Sequence, residues 1–199
     1  MQSSLPYLGI SIDPNLANKT ILWQGSDSYE RFLKNKEKYP DDLAAWTENS
    51  IQYTFNEYAF RSDPFFGEGI LFLGCSFTFG IGMIWENTWA YLVAKKLGLK
   101  CWNLGIGGAS NDMAFRCASY WIPKLKPRYV CYMPTLANRL EIITPDKIER
   151  YLPSYEFYSS EDKKFYDKWL SMEENGKLNK EKNIRGIKSI CDEIGRAHV

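Results

Sequence analysis

Three short apolar runs in the middle of the chain predict strands that are buried on both faces. They are GILFLG at residues 69–74, KCWNLG at 100–105 and RYVCYM at 128–133. Runs of this length with few polar interruptions are typical of parallel strands that are covered by helices on both sides. The pattern therefore predicts the centre of a parallel sheet.

Amphipathic helical patterns lie between these runs. In the first, Asn87 is the expected N-cap, Gly98 the expected end, and the residues predicted to share one face are Trp89, Leu92, Val93 and Leu97. In the second, Ser110 is the expected N-cap and Pro123 the expected end. This alternation of strand and helix predicts an α/β fold with a three-layer, doubly wound parallel sheet of the flavodoxin-like kind.

Residues 1–68 are turn-rich and aromatic, and we expect them to form an irregular extension packed on the core. Within them we expect a strand at 20–23, a charged helix at 28–38 and a second strand at 51–55, where apolar and polar residues alternate.

Beyond residue 144 the sequence becomes polar and charged, and residues 147–152 and 159–175 predict surface helices. Residues 175–183, which read NGKLNKEKN, predict a solvated linker or loop. We therefore divide the chain into an N-terminal extension (1–68), an α/β domain (69–193) and a tail (194–199).

The tail is set apart because residues 194–199 can be written as the codons ATC GGA AGA GCA CAC GTC, which resemble a common sequencing adapter read in frame. We therefore expect residues 194–199 to be non-native, and the α/β domain to be incomplete at its C-terminus.

Charge and cysteine content narrow the class of protein. The chain has 25 Lys and Arg against 24 Asp and Glu, a net charge of +1, which argues against nucleic acid and anionic membrane as partners. We find no signal peptide or transmembrane pattern, so the expected location is cytoplasmic. The five cysteines show no CxxC spacing, and this favours reduced thiols in the core.

The first core strand runs directly into a turn of small residues that holds Ser76, in the sequence ILFLGCSFTFGIG. In open α/β sheets, ligands bind beyond the carboxyl ends of the strands. The next two strands lead into residues 103–110 (NLGIGGAS) and 134–141 (PTLANRLE). The sequence therefore predicts that three loops meet around Ser76.

These loops resemble the motifs of the SGNH or GDSL hydrolase family (GDSL-like lipases and acylhydrolases). GCSFTFG is similar to the family's G-D-S-x-T block, with Cys75 where aspartate is usual, and NLGIGGAS is similar to its second block. Residues 136–139 (LANR) loosely match the third, G-x-N-D. The resemblance implies that Ser76 is the nucleophile and that Gly108 and Asn138 donate to the oxyanion.

The family's base lies in a D-x-x-H motif, which this chain does not match. Its one histidine is His198, the residue three before it is Gly195, and the nearest aspartate is Asp192. We therefore leave His198 out of the predicted site, and the resemblance implies a histidine base outside this chain.

The resemblance implies a serine ester hydrolase or acyl transferase that acts on small acyl esters, such as O-acetyl groups on carbohydrates. It implies no metal or organic cofactor, and little activity in a chain that lacks its base. Two alternatives stay open: a non-catalytic glycan-binding module of the same fold, and a structural component of an assembly. The sequence leaves the oligomeric state undetermined. For Arg139 and Glu141 two interpretations are open, a surface pair or contact with substrate, and the surface pair is preferred.

Overall fold

The computed structural model of the chain describes residues 9, 11, 13–22, 29–44, 51–144, 148–153, 159–195 and 197–198. The strands within them are β1 (Thr20–Leu22), β2 (Gln52–Thr54), β3 (Gly69–Leu73), β4 (Lys100–Asn103), β5 (Tyr129–Tyr132), β6 (Leu140–Ile143), β7 (Ile148–Tyr151) and β8 (Ala197–His198). The helices are α1 (Tyr29–Lys38), α2 (Ser76–Phe79), α3 (Trp89–Lys96), α4 (Asn111–Leu125), α5 (Ser160–Leu170) and α6 (Glu173–Glu193). Single 3-10 turns lie at Pro14–Leu16 and Trp85–Asn87.

A parallel sheet with strand order β4-β3-β5-β8 forms the centre of the structure. Its first three strands are the three apolar runs, so the prediction of an α/β fold with a parallel sheet is confirmed. The pairs β1–β2 and β6–β7 are antiparallel and lie outside this sheet.

Helices cover both faces of the sheet because the side chains of its central strand alternate in direction. Leu71 and Leu73 of β3 pack into a cluster with residues of α4 and α6. Ile70 and Phe72 point the other way and pack against α3. All five residues of β3 are buried, as its uninterrupted apolar sequence predicts.

Helix α3 differs from its prediction in its cap and in its buried face. The N-cap is Thr88, whose hydroxyl accepts from Tyr91 N, because Asn87 belongs to the preceding 3-10 turn. The buried residues are Ala90 and Ala94, and the predicted face is wrong at Leu92 and Leu97, which are half exposed. Small side chains at the contact let the helix approach the sheet closely, and the larger leucines lie outside that contact.

Helix α4 begins as predicted, because the Ser110 hydroxyl accepts from Met113 N at 3.2 Å. Its predicted end at Pro123 is wrong, since the helix continues to Leu125. A proline this close to the end removes one backbone donor and leaves the last turn intact. The helix stops where Lys126 adopts a left-handed φ of 47°.

The C-terminal segment departs most from the sequence prediction. Residues 148–151 form β7 and not a helix, and residues 175–183 lie within α6 and not in a linker. The Asn179 and Asn183 side-chain amides donate to Asp112 Oδ1 of α4, at 2.7 and 2.8 Å. These tertiary contacts stabilise the helical conformation of a segment whose composition is typical of a loop. Helix α5 was predicted.

The N-terminal extension contains the predicted strands β1 and β2 and the helix α1. Its later part runs along the outer edge of β4: Asp63 N donates to Cys101 O, Cys101 N donates to Asp63 Oδ2, and Asn103 N donates to Ser62 Oγ. The three-part division of the chain stays a prediction. No helix among the described residues is long and apolar enough to cross a membrane.

A buried arginine joins this extension to the segment that follows α2. Arg61 is 2% exposed, and its guanidinium donates to the carbonyl oxygens of Gly80 at 2.8 Å and Met83 at 2.7 Å. It also lies over the Tyr53 ring, 4.3 Å from the centroid. Burial lowers the pKa of Arg61 to about 10, against the opposing influence of Tyr53 and Glu86, so the group is cationic at neutral pH.

We expect Arg61→Met to lower the free energy of unfolding by about 3 kcal/mol or more, because it leaves buried carbonyl oxygens without donors. Urea denaturation measures this loss. The control is Arg128→Met, which removes an exposed ion pair with Glu68 and should change stability by no more than about 0.5 kcal/mol. Equal losses in the two variants would contradict a special role for Arg61.

Candidate active site

Ser76 is the first residue of α2, two residues beyond Gly74 at the carboxyl end of the central strand. The turn is tight: Thr78 N and Phe79 N both donate to Cys75 O, at 3.0 and 2.9 Å. A side chain at Gly74 would collide with Thr78 Oγ1, so only glycine fits there. Ser76 therefore lies partly exposed on a short, firmly held turn at the edge where ligands bind in α/β sheets.

The second loop, residues 103–110 after β4, packs directly against α2. A Cβ at Gly105 would lie 2.7 Å from Phe79 N, so the absence of a side chain allows the contact. Asn103, fully buried, bridges the two segments: its Nδ2 donates to Thr78 O at 2.8 Å and its Oδ1 accepts from Gly105 N at 2.9 Å. The loops that carry Ser76 and Gly108 are therefore held together, as predicted from the sequence.

Gly108 adopts a left-handed φ of 74° and is partly exposed. Arg150 Nη1 donates to Gly107 O at 2.7 Å and fixes this part of the loop against the β6–β7 pair. Neither Gly108 N–H nor Ser76 N–H donates to another residue in the described part of the chain. Both are therefore available to a ligand that carries a negative oxygen.

The third loop, residues 134–141 after β5, is held in place by the buried side chain of Asn111. Met133 N donates to Leu73 O, which brings the start of the loop beside the Ser76 turn. The Asn111 side chain accepts from Thr135 N at 2.9 Å and Tyr132 Oη at 2.6 Å, and donates to Thr135 O at 3.3 Å. Asn111 therefore has a structural role and places Thr135 beside Cys75.

Cys75 is the centre of a polar cluster around the serine. The Ser76 hydroxyl donates to Cys75 Sγ at 3.9 Å, and Arg139 Nη1 donates to Thr135 Oγ1 at 3.1 Å. Burial raises the pKa of the Cys75 thiol, but hydrogen bonds from Phe77 N–H, Thr135 and Ser76, together with the Arg139 charge, outweigh it. The pKa of Cys75 is therefore below that of an ordinary thiol.

The other four cysteines are free thiols whose pKa values burial raises: Cys101, Cys117, Cys131 and Cys191. Three of them are buried, and Cys131 is partly buried. Cys117 is fully buried, and its pKa rises to about 11. Cys75 therefore differs from them in chemistry as well as in position.

Asn138 lies in the third loop but lines a neighbouring pocket. Its backbone carbonyl accepts from Tyr166 Oη of α5 at 2.7 Å, and its Oδ1 is buried without a hydrogen-bond partner in the described part of the chain. The pocket is formed with the ends of α5 and α6, and Ser76 and Gly108 do not line it. The oxyanion role predicted for Asn138 stays a prediction.

His198 lies in β8, where it is paired with Val130 of β5. Leu73, the last residue of β3, is paired with Tyr132, two residues further along β5. The His198 backbone is therefore about 7 Å short of the sheet edge that carries Ser76. Among the described residues, no carboxylate hydrogen-bonds to the Ser76 hydroxyl.

The predicted surface pair of Arg139 and Glu141 is wrong. Glu141 pairs with Arg116 of α4 at 2.7 and 3.2 Å, and the two side chains are 2% and 4% exposed. Arg139 Nη1 donates instead to Thr135 Oγ1 at 3.1 Å and to Ala109 O of the second loop at 3.4 Å. Thr135 is the residue of this cluster that sequence reasoning missed, although it lies in the loop that the sequence selected.

The chain matches none of the protein-family models and none of the curated proteins with which it was compared.

We expect the native protein to show a step in thiolate ultraviolet absorbance at a lower pH than an ordinary cysteine gives, and Cys75→Ser to remove that step. The physical reason is the set of donors that faces Cys75 Sγ. Cys131→Ser is the control and should leave the step in place, because burial raises the pKa of Cys131.

The lowered pKa of Cys75 also predicts that the free energy of unfolding depends on pH. Because folding lowers the pKa of Cys75, its stabilising contribution is complete above the unfolded pKa and is lost as pH falls through the folded value. The stability difference between native protein and Cys75→Ser should therefore grow with pH across that window. A constant difference would contradict the assignment.

Proposed function

We propose that the chain is an SGNH-like domain with a three-layer α/β arrangement, and that its chemistry is that of a serine ester hydrolase or acyl transferase. The observation that carries the proposal is the position of Ser76 on a rigid turn beside the glycine loop, with the Ser76 and Gly108 N–H groups unpaired within the described residues. The substrate class is a small acyl ester, including carbohydrate O-acetyl groups.

In this proposal Ser76 Oγ attacks the ester carbonyl carbon, and its proton passes to a base. The carbonyl oxygen becomes an oxyanion that accepts from Ser76 N–H and Gly108 N–H, with the Asn138 amide as the third donor that the resemblance implies. Each such donor is worth on the order of 3 kcal/mol of barrier. The C–O bond to the alcohol then breaks, the alcohol leaves with the proton, and the acyl group stays on Ser76 until water or another alcohol removes it.

The base is the missing part of this proposal. The described partner of the Ser76 hydroxyl is Cys75 Sγ, and the thiolate is a much weaker base than the alkoxide it would have to generate. We therefore propose that the chain alone reacts slowly, at roughly 10⁴-fold or more below a serine hydrolase with an intact triad.

The hydrogen bond from the Ser76 hydroxyl to Cys75 Sγ also favours a second candidate function. A serine whose hydroxyl is engaged by a cysteine, with no imidazole or carboxylate partner described, is also consistent with a non-catalytic glycan-binding module that keeps the cleft. The two candidates differ in whether Ser76 forms a covalent bond.

We expect a fluorophosphonate probe to label the protein slowly at Ser76, and added imidazole to accelerate labelling by supplying the base. Mass spectrometry of the modified peptide measures the site and the rate. Ser76→Ala should abolish labelling with and without imidazole, while the matched control Ser171→Ala, which changes an exposed serine, should not.

Labelling that persists in Ser76→Ala would assign the reaction to another residue. If the native protein stays unlabelled even with imidazole, the enzyme proposal fails, and the non-catalytic glycan-binding module becomes the preferred function.

We expect Gly108→Ala to slow imidazole-assisted labelling by about 10-fold or more, because alanine disfavours the left-handed φ and the N–H turns away from the oxyanion. The control is Gly98→Ala, which has a similar φ of 66° at the end of α3 and open space around it. Both variants should lose about 1 kcal/mol of stability. Equal labelling rates in the two would remove Gly108 from the site.

A further inference from the structure

Residues 106–109 of the second loop form a β-turn whose two central residues are glycines. Ala109 N donates to Ile106 O at 3.1 Å, and this hydrogen bond closes the turn. Gly108, the third residue, has a φ of 74°, whereas Gly107, the second, has no left-handed φ. A left-handed φ at the third residue alone is typical of a type II turn. The peptide between Gly107 and Gly108 is therefore the central peptide of this turn.

The central peptide is the part of a β-turn that can reverse while the ends stay in place. A type I turn differs from a type II turn by roughly half a rotation of this peptide, so that its N–H and C=O exchange sides. Here the ends are fixed, because Ile106 N donates to Gly74 O at 3.3 Å and the Ser110 hydroxyl caps α4. Two central glycines make both orientations sterically accessible. The direction of the Gly108 N–H therefore depends on contacts from outside the turn.

Arg150 of β7 makes a contact that distinguishes the two orientations. Its Nη1 donates to Gly107 O, the carbonyl oxygen of the central peptide, at 2.7 Å. The described chain has no cis peptide bond, so the N–H of this peptide points away from its carbonyl. With Gly107 O facing Arg150, the Gly108 N–H faces away from it. Reversal would turn the N–H toward a guanidinium, which has no acceptor to offer.

The turn is in contact with the structure on two sides. On the side of β7, a Cβ at Gly108 would lie 3.5 Å from Leu152 Cδ1. On the side of α2, a Cβ at Gly107 would lie 3.0 Å from Ile81 Cδ1. Ile81 N in turn donates to Ser76 O at 3.2 Å. The turn therefore lies between the end of β7 and the segment that begins at Ser76.

The hydrogen bond from Arg150 also strengthens the Gly108 N–H as a donor. Resonance in a peptide places negative charge on oxygen and positive charge on nitrogen, and a cation at the oxygen favours this charge distribution. A tenfold preference for one orientation requires about 1.4 kcal/mol. This is within what a hydrogen bond from a charged donor contributes. Arg150 therefore acts on both the direction and the strength of the Gly108 N–H.

We propose that Arg150 is a positioning residue that holds the central peptide of this turn with the Gly108 N–H available to an oxyanion. Its effect on a reaction rests on the proposed function, in which Gly108 N–H stabilises the oxyanion formed at Ser76. Its effect on the turn does not require Ser76. The β6–β7 pair thus controls a donor that lies in another loop.

The test measures the turn and the reaction separately. In a type II turn the Gly107 Hα is close to the Gly108 amide hydrogen, whereas in a type I turn the two amide hydrogens are close to each other. NOE intensities in the isotope-labelled full chain therefore report the orientation of the peptide. We expect the Hα–amide NOE to dominate in the native protein, and Arg150→Met to weaken it in favour of the amide–amide NOE.

Arg150→Met should also lower the rate of imidazole-assisted fluorophosphonate labelling at Ser76 roughly 5-fold or more, because fewer molecules present the N–H to the oxyanion and no cation polarises it. Arg150→Lys should restore both readouts, since the contact uses a single cationic donor. The control is Arg185→Met, which removes an exposed arginine paired with Glu181 and should change neither readout.

Unchanged NOE intensities in Arg150→Met would overturn the proposal, because another contact would then set the peptide. Changed NOE intensities with an unchanged labelling rate would overturn it too, since Gly108 N–H would then have no part in the reaction. If the native protein is not labelled, the enzyme proposal fails, and the NOE intensities alone decide whether Arg150 sets the peptide. If Arg150→Met does not fold, Arg150→Ala replaces it in both measurements.

Discussion

The buried Asn103 amide is the interaction on which the arrangement of the candidate site depends. It is the last residue of β4, yet it holds the backbone of α2 on one side and the start of the second loop on the other. A buried amide with both ends satisfied specifies one geometry, because any displacement leaves a polar group unpaired. The contact also requires Gly105, since a side chain there would collide with α2. Two residues that carry no proposed chemistry therefore hold the second loop against the helix that begins at Ser76.

The surroundings of Cys75 add a second feature to this geometry. The sulfur takes hydrogen bonds from Ser76, Thr135 and the Phe77 N–H, and it feels the charge of Arg139. Because these donors and this charge lower the pKa of Cys75, they favour the thiolate over the thiol. The same edge of the sheet thus combines two backbone N–H groups that are unpaired within the described residues, those of Ser76 and Gly108, with a sulfur whose surroundings favour the thiolate.

The sequence predicted the sheet well because burial on both faces requires uninterrupted apolar residues, as in residues 69–73. It failed where tertiary contacts override local composition. Helix α6 contains NGKLNKEKN, and the Asn179 and Asn183 amides that suggest a loop are the groups that bind Asp112. Of the site, the turn of Ser76 and the glycine loop followed from local patterns. The direction of the Arg139 side chain did not, since it depends on Glu141 having a buried partner elsewhere.

The N-terminal extension has a further consequence through the edge of β4. Asp63 and Ser62 supply hydrogen bonds there that a neighbouring strand would otherwise provide. An exposed strand edge is a template for pairing with another molecule, and here the chain closes it with its own residues. Cutting the chain at Gly69, where the apolar pattern begins, would therefore not isolate a minimal α/β unit. It would expose the backbone groups of β4 that Ser62 and Asp63 now occupy, and exposed groups of this kind are a template for pairing with a strand of another molecule.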